Sequence, residues 1–271
     1  MIEKTEAIVL RVFPFSESSD IVSWLTPHHG TVSTVVKGAH RPKSAFLGQY
    51  DLFYTCELLF YARDRGGLHI IRECAPIEVR RPLRSDWRAA ACASYACDII
   101  RRTVHGGTPA AGFYGVAGRT LDALCRVGAS VPLLFWFELQ MVRELGLAPR
   151  LRSCAGCGGP LDEGASWVFS PDRGGMVCGK CSGSGRHVMY VPHRAAALLR
   201  TCQDLTSAGA AAQLRAPPNQ LLVLRQVLGV FLTFHLEGLP SSRKIAMDLA
   251  FSASVGSAEN NQAKNRTGAL P

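Results

Sequence analysis

The 271-residue sequence has no unbroken apolar run of the ~18 residues that a membrane-spanning helix requires. Its most apolar stretch, Leu221 to Phe234, is interrupted by Arg225 and Gln226 and reads as a buried helix. Charged residues are sparse at 19% while hydrophobic residues reach 47%, a balance that excludes wholesale disorder. Glu3, Lys4 and Glu6 precede the first short apolar run, which is not the form of a secretory signal. A soluble, cytoplasmic protein is therefore expected. Catalytic fingerprints are also missing: there is no Gly-x-Ser-x-Gly elbow, no His-Glu-x-x-His and no dinucleotide-binding glycine pattern. Gly174-x4-Gly179-Lys180 resembles a phosphate loop, but Cys181 stands where a magnesium-binding Ser or Thr belongs. His235-Leu236-Glu237 matches part of a deaminase signature, yet the paired cysteines precede it instead of following it. Nothing in the sequence argues for an enzyme.

Acidic residues are outnumbered, 21 against 30 Lys and Arg, for a net charge of +9. Such an excess suits a polyanionic partner, either nucleic acid or an anionic membrane surface. Residues 1–86 hold 11 basic against 10 acidic groups, whereas 87–153 hold 8 against 4 and 183–251 hold 7 against 3. The surplus is thus spread over the later part of the chain, without a polybasic run.

Cysteine, by contrast, is plentiful. In a chain with no export signal, ten thiols are expected to stay reduced, and clustered ones to bind metal. Cys154, Cys157, Cys178 and Cys181 form two Cys-x2-Cys pairs separated by 20 residues. Each pair lets one tight turn aim two thiolates at one ion, and two turns complete a closed tetrahedron with no position left for water. That predicts one structural zinc ion, not a catalytic one. The segment between the pairs has Trp167, Val168 and Phe169 as its main apolar content, too little for a core of its own, so metal would supply its folding energy. The other six cysteines are scattered among apolar neighbours and read as small buried hydrophobes.

Residues 1–80 are strand-like. Ala7–Phe13, Ile21–Leu25, Thr31–Val36, Leu52–Tyr61 and Leu68–Glu73 are β-prone runs, with turns at Pro27–Gly30 and Arg63–Gly67. Five short strands without a helix signal predict a small barrel over residues 1–82. After Ser85-Asp86, a helix cap, periodic runs predict helices at Trp87–Val104, Phe113–Val127, Pro132–Leu145, Pro192–Thr206 and Pro217–Leu236. The expected organisation is α+β and multidomain: a barrel, then a helical domain over 83–251 carrying the cysteine module at 150–185. Residues 252–271 are polar and aperiodic and are expected to be a disordered tail.

Small barrels commonly bind single strands through backbone electrostatics and base stacking. The polar segment Lys37 to Gln49 interrupts the strand rhythm and carries Lys37, Arg41 and Lys43, with Phe46 and Tyr50 just beyond. Phe13 and Phe15 flank the exit of the first strand, which also carries Arg11. Arg11, Lys37, Arg41 and Lys43 are the expected phosphate contacts; Phe13, Phe46 and Tyr50 are the candidate stacking rings. Core packing remains an open alternative for each ring.

Ala7-Ile8-Val9-Leu10-Arg11, Ser16-Glu17-Ser18-Ser19-Asp20-Ile21-Val22, Thr26-Pro27-His28-His29-Gly30 and Lys37-Gly38-Ala39-His40-Arg41-Pro42-Lys43-Ser44 together resemble the opening of the RecO family of bacterial recombination mediators. The resemblance continues through the helices and the four cysteines to Ser241-Ser242-Arg243-Lys244. It implies an N-terminal OB-fold, a helical domain and an inserted zinc finger. It further implies binding of single- and double-stranded DNA, annealing of complementary strands, and work with RecR and the C-terminal tail of single-stranded-DNA-binding protein (SSB) to help load RecA. Lys37 and Arg41 fall where the family's DNA contacts are expected, and His40 stands where a second arginine is often found. Two other readings stay open: a zinc-braced scaffold for acidic protein tails, and a zinc-ribbon RNA-binding factor.

Overall fold

Alternation of inward and outward residues dictates the first part of the fold. In a computed structural model, which describes residues 1–63, 67–161, 166–183 and 188–253, the chain opens with five strands. These are β1 (Ile2–Ser16), β2 (Ser19–Thr26), β3 (Gly30–Val36), β4 (Thr55–Tyr61) and β5 (Leu68–Glu78). β1 is long because it serves two neighbours. Ile2 to Ile8 pair antiparallel with β4, and Ile8 to Ser16 pair with β2. An irregularity in the register between Val9 and Arg11 bends the strand where it passes from one partner to the other. A parallel pairing of β3 with β5, Ser33 to Leu68 through Val35 to Ile70, completes a closed barrel in the order β1-β2-β3-β5-β4. This is the expected OB arrangement. Its interior holds Val22, Trp24, Val36, Cys56, Leu58 and Phe60. The indole N–H of Trp24 donates to the buried Thr34 hydroxyl at 2.9 Å, so the one polar atom of that ring is satisfied.

The strand expected from Leu52 begins only at Thr55. Phe53 adopts a positive φ of 70°, which no strand residue can share with its neighbours. The turn residues 64–66 lie outside the described residues.

Three helices complete the first compact unit, Met1–Arg126. α1 (Pro82–Ser85) is a single turn that periodicity did not reveal. α2 (Trp87–Thr103) starts at the expected cap, where the Asp86 carboxylate accepts from the backbone N–H of Arg88 and Ala89 at 3.0 Å. α3 (Ala111–Val127) follows. Barrel and helices are joined by Arg80, itself buried with a φ of 48°. Its guanidinium donates to the Phe53 carbonyl, the Thr55 hydroxyl and the Asp122 carboxylate of α3, at 2.7, 2.8 and 2.8 Å. Strands give way to helices near residue 82, but the compact unit extends further because α2 and α3 pack on the barrel. At the Pro27–Gly30 turn, Gly30 has a φ of 65°, and a Cβ there would stand 2.1 Å from the His105 carbonyl oxygen. Only glycine fits that approach.

The second unit is organised around α4 (Val131–Glu144), which is buried from Val131 to Val142. A helix apolar on all sides must be enclosed. It is surrounded by α6 (His193–Asp204), α7 (Ala208–Gln213), α8 (Pro218–His235) and a further helical run over 242–253. Before them comes a three-stranded antiparallel sheet of β6 (Ser166–Ser170), β7 (Gly175–Val177) and β8 (Met189–Pro192), in the order β7-β6-β8, with the one-turn α5 (Gly179–Ser182). Phe169 meets Phe231 of α8 edge to face at 5.8 Å, which seats the sheet on the helices. Inside this unit Glu138 is fully buried and receives Arg243 through two bonds, Nε to Oε1 at 2.7 Å and Nη2 to Oε2 at 3.1 Å. Residues 252 and 253, expected in the tail, are helical, and 254–271 lie outside the described residues.

Candidate metal centre and nucleic-acid interface

The cysteine module is built from short turns. Cys154 opens the turn over 155–157, which the Gly158 N–H closes by donating to the Cys154 carbonyl at 2.9 Å. Cys178 immediately precedes α5, which carries Cys181 on its single turn. The four Sγ atoms lie within 4.8 Å of one another. Cys157 Sγ and Cys178 Sγ are 3.9 Å apart, close to the ~3.8 Å edge of a tetrahedron with ~2.3 Å metal–sulfur bonds. The backbone N–H groups of Gly156, Cys178 and Cys157 point at Cys154 Sγ from 3.3, 3.3 and 3.5 Å. Burial pushes the Cys154 thiol up, but these donors outweigh it and bring it down to about 6. Hydrogen bonding from Cys178 and Cys154, with burial, pushes Cys181 up to about 12. Four thiolates this close cannot all ionise without a cation among them, and the donor set fits a dication in a closed tetrahedral site. Gly156 leaves the turn room: a Cβ there would meet the Arg173 guanidinium at 2.8 Å and crowd Cys181 Sγ at 3.1 Å. Val168 and Val177 pack behind the cluster.

The segment that breaks the strand rhythm forms a loop between β3 and β4, and its exposed cations are Lys37, Arg41 and Lys43. None of the three has an acidic partner among the described residues. The loop is not loose. Gly38 N–H donates to Ser19 Oγ and His40 N–H donates to the Ser18 carbonyl, both at 3.3 Å. His40 Nε2 lies 2.9 Å from Asp20 Oδ1, and the Tyr50 hydroxyl donates to Asp20 Oδ2 at 2.7 Å. The loop thus hangs from the β1–β2 turn through a buried carboxylate.

The three candidate stacking rings occupy different surroundings. Tyr50 packs edge to face on Trp24 at 6.3 Å and, like Phe46, lies against the barrel core. The cleft of about 220 Å³ beside Phe46 is lined by Glu57, Arg72 and Glu73. Lys4 pairs with Glu57 at 2.8 Å and Arg72 with Glu73 at 3.2 Å, so the cleft offers a phosphate backbone no surplus of positive charge. Both rings therefore secure the loop. Phe13 lies half-buried beneath the Arg11 guanidinium, which sits 4.6 Å from its centroid. Arg11 Nη1 is also 3.9 Å from Asp98 Oδ1 on α2.

Sequence reasoning had no role for Ser19, Asp20, Arg80 or Glu138. Glu138 carried a usable signal, being the lone charge between Val131 and Val142. Asp20 carried none, because its partners Tyr50 and His40 are distant in sequence.

The comparisons with known proteins agree along the chain. Residues 1–80 match the family model described as Recombination protein O N terminal, and residues 84–244 match Recombination protein O C terminal. A DNA repair protein RecO from Anaeromyxobacter dehalogenans is 33% identical over 236 residues, covering 86% of this chain and 91% of that relative. One from Roseiflexus sp. strain RS-1 is 33% identical over 263 residues, covering 94% and 90%. Another from Moorella thermoacetica is 30% identical over 245 residues, covering 89% and 88%. Among the described residues no helix is long and apolar enough to cross a membrane. With both of its parts matched and relatives at or above 30% identity over most of their length, this chain belongs to the RecO family of DNA repair proteins.

Proposed function

We propose that the protein is a non-enzymatic, cytoplasmic mediator that binds single- and double-stranded DNA and anneals complementary strands. The observation that carries this reading is the loop: Lys37, Arg41 and Lys43 are exposed and free of acidic partners among the described residues, and buried Asp20 holds the loop that presents them. Arg11, propped by Phe13, adds a fourth cation on β1. Annealing needs no catalytic group on this view. Two phosphate backbones on one basic surface repel each other less, and base pairing then proceeds on its own.

Zinc is the proposed occupant of Cys154, Cys157, Cys178 and Cys181, because four thiolates in a closed tetrahedral set suit that ion. Its role is to brace the module. Work with RecR and with the SSB C-terminal tail to load RecA follows from family membership and is part of the same proposal. For the tail, whose end is apolar, the groove along α8 lined by Val230 and Phe234 beside Arg225 is the proposed seat.

The test is single-strand binding across a salt series. Removing one phosphate-binding cation should lower the slope by ~0.7 log units per decade of salt, so Lys37→Ala with Arg41→Ala should lower it by ~1.4. An unchanged slope in the double variant sinks the loop assignment. Val230→Glu should abolish binding of an SSB-tail peptide and leave DNA affinity intact.

A further inference from the structure

Beyond Arg11, the outer face of β1 has no use in the DNA-loop reading, yet it gathers further cations and rings. Phe13 has two guanidiniums against it: Arg11 at 4.6 Å from the centroid and Arg101 of α2 at 5.8 Å. The ring therefore acts as a spacer that sets two cations, and it is not an open platform for a base. Arg101 Nε is buried without a hydrogen-bond partner, which is costly enough to ask for a reason. Arg102, next along α2, is exposed and has no acidic partner among the described residues. Asp98 offsets one of these three cations from 3.9 Å, which leaves the cluster net positive. Phe15, two residues past Phe13, is 58% exposed.

This cluster adjoins the DNA loop. Ser16 pairs with Ser19, and the loop rests on Ser18 and Ser19 through Gly38 and His40. At ~3.3 Å per strand residue, Phe13 lies on the order of 10 Å from that turn. An uncommitted ring followed by cations, beside a basic loop, has the make-up of a single-strand track. A duplex keeps its bases stacked on one another and would leave Phe15 unused.

We propose that a single strand held by Lys37, Arg41 and Lys43 continues over the β1–β2 turn, stacks a base on Phe15, and lays its phosphates on Arg11, Arg101 and Arg102. This extension rests on the DNA-binding function proposed for the loop. It assigns α2, outside the barrel, a direct part in holding the strand.

The experiment measures anisotropy of a labelled oligothymidylate of about 30 nucleotides, longer than the ~16-nucleotide upper footprint of one barrel, on the full metal-loaded chain. Phe15→Ala should weaken binding roughly tenfold with no change in salt slope, because stacking releases no counterions. Arg101→Ala with Arg102→Ala should lower both the affinity and the slope, the latter by ~1.4. Wild-type binding in Phe15→Ala and in the α2 pair, with weakened binding in the loop pair, overturns the extension and leaves the loop reading standing. No salt-dependent binding by the wild type overturns both. If removing the partly buried Arg101 unfolds the chain, Arg102→Glu at its exposed position decides alongside Phe15→Ala. Unchanged affinity in both again rejects the track.

Discussion

The hydroxyl of Tyr50 donates a 2.7 Å hydrogen bond to Asp20, a carboxylate that is 5% exposed at the start of β2. Burial, and then this bond, push the Tyr50 phenol well above its usual value. The phenol thus stays a donor at any working pH, and the loop that ends at Tyr50 stays tied to the barrel.

Tyr50→Phe removes that donor and should cost about 1 kcal/mol, the worth of a typical hydrogen bond. Amide exchange at residues 38–44 should quicken, and DNA affinity should fall less than in the Lys37 and Arg41 double variant. Hydrogen-exchange mass spectrometry with anisotropy checks both. Unaltered exchange rates would show that Asp20 does not hold the loop.

Glu138 and Arg243 are buried partners, so removing one strands the other. Arg243→Ala should destabilise the second unit by about 3–5 kcal/mol, whereas Glu138→Leu with Arg243→Met should recover most of that stability. Urea denaturation of the two variants decides the matter. The double variant must be the more stable of the pair.

Arg80→Ala should cost about 2–4 kcal/mol, because the Phe53 carbonyl and Thr55 hydroxyl are deprived of a charged donor. The lysine variant should not rescue it, since one ammonium cannot reach three acceptors in the geometry of a guanidinium. Thermal unfolding of both variants provides the check.

If the proposed zinc occupies the four cysteines, Cys178→Ser should lower the zinc content found by elemental analysis and expose the apolar faces of Val168 and Val177. Single-strand affinity should be retained, because the loop cations belong to the other unit. Weakened affinity in a variant that still folds would contradict a purely bracing role.

Burial alone pushes Cys202 up to about 12, and burial leads the same rise at Cys97. At pH 8 these thiols should resist alkylation until the chain unfolds. Their folded values exceed the ordinary thiol value of about 9, so their contribution to stability is complete below pH 9. It is lost as pH rises toward 12, where the unfolded chain already gains charge and the folded chain follows only later. Alkylation followed by mass spectrometry, and a stability profile above pH 9, test the two statements.

Local rules explain what could be read in advance. The two Cys-x2-Cys turns bring their thiols together within a few residues, so their spacing already implied one site. Strand alternation and helical periodicity are equally local, and they located the five barrel strands and the five longer helices, with ends displaced by a few residues. α1, α5, α7, the run over 242–253 and the short strands β6, β7 and β8 escaped because strands of three to five residues, one or two helical turns, or a mixed helix near a polar tail carry too little periodic signal.

The amino-acid sequence by itself determined the longer elements, the cysteine cluster and the loop cations, since each depends on neighbours a few residues away. Tertiary structure alone decided that β3 meets β5 to close the barrel, that Asp20 holds Tyr50, and that Arg101 reaches Phe13. Those pairings join residues far apart in the chain, and their energies appear only once the closed fold has brought them together. Phe46 and Tyr50 make the same point: as a sequence they suit a stacking surface, and in the fold their rings lie against the barrel core.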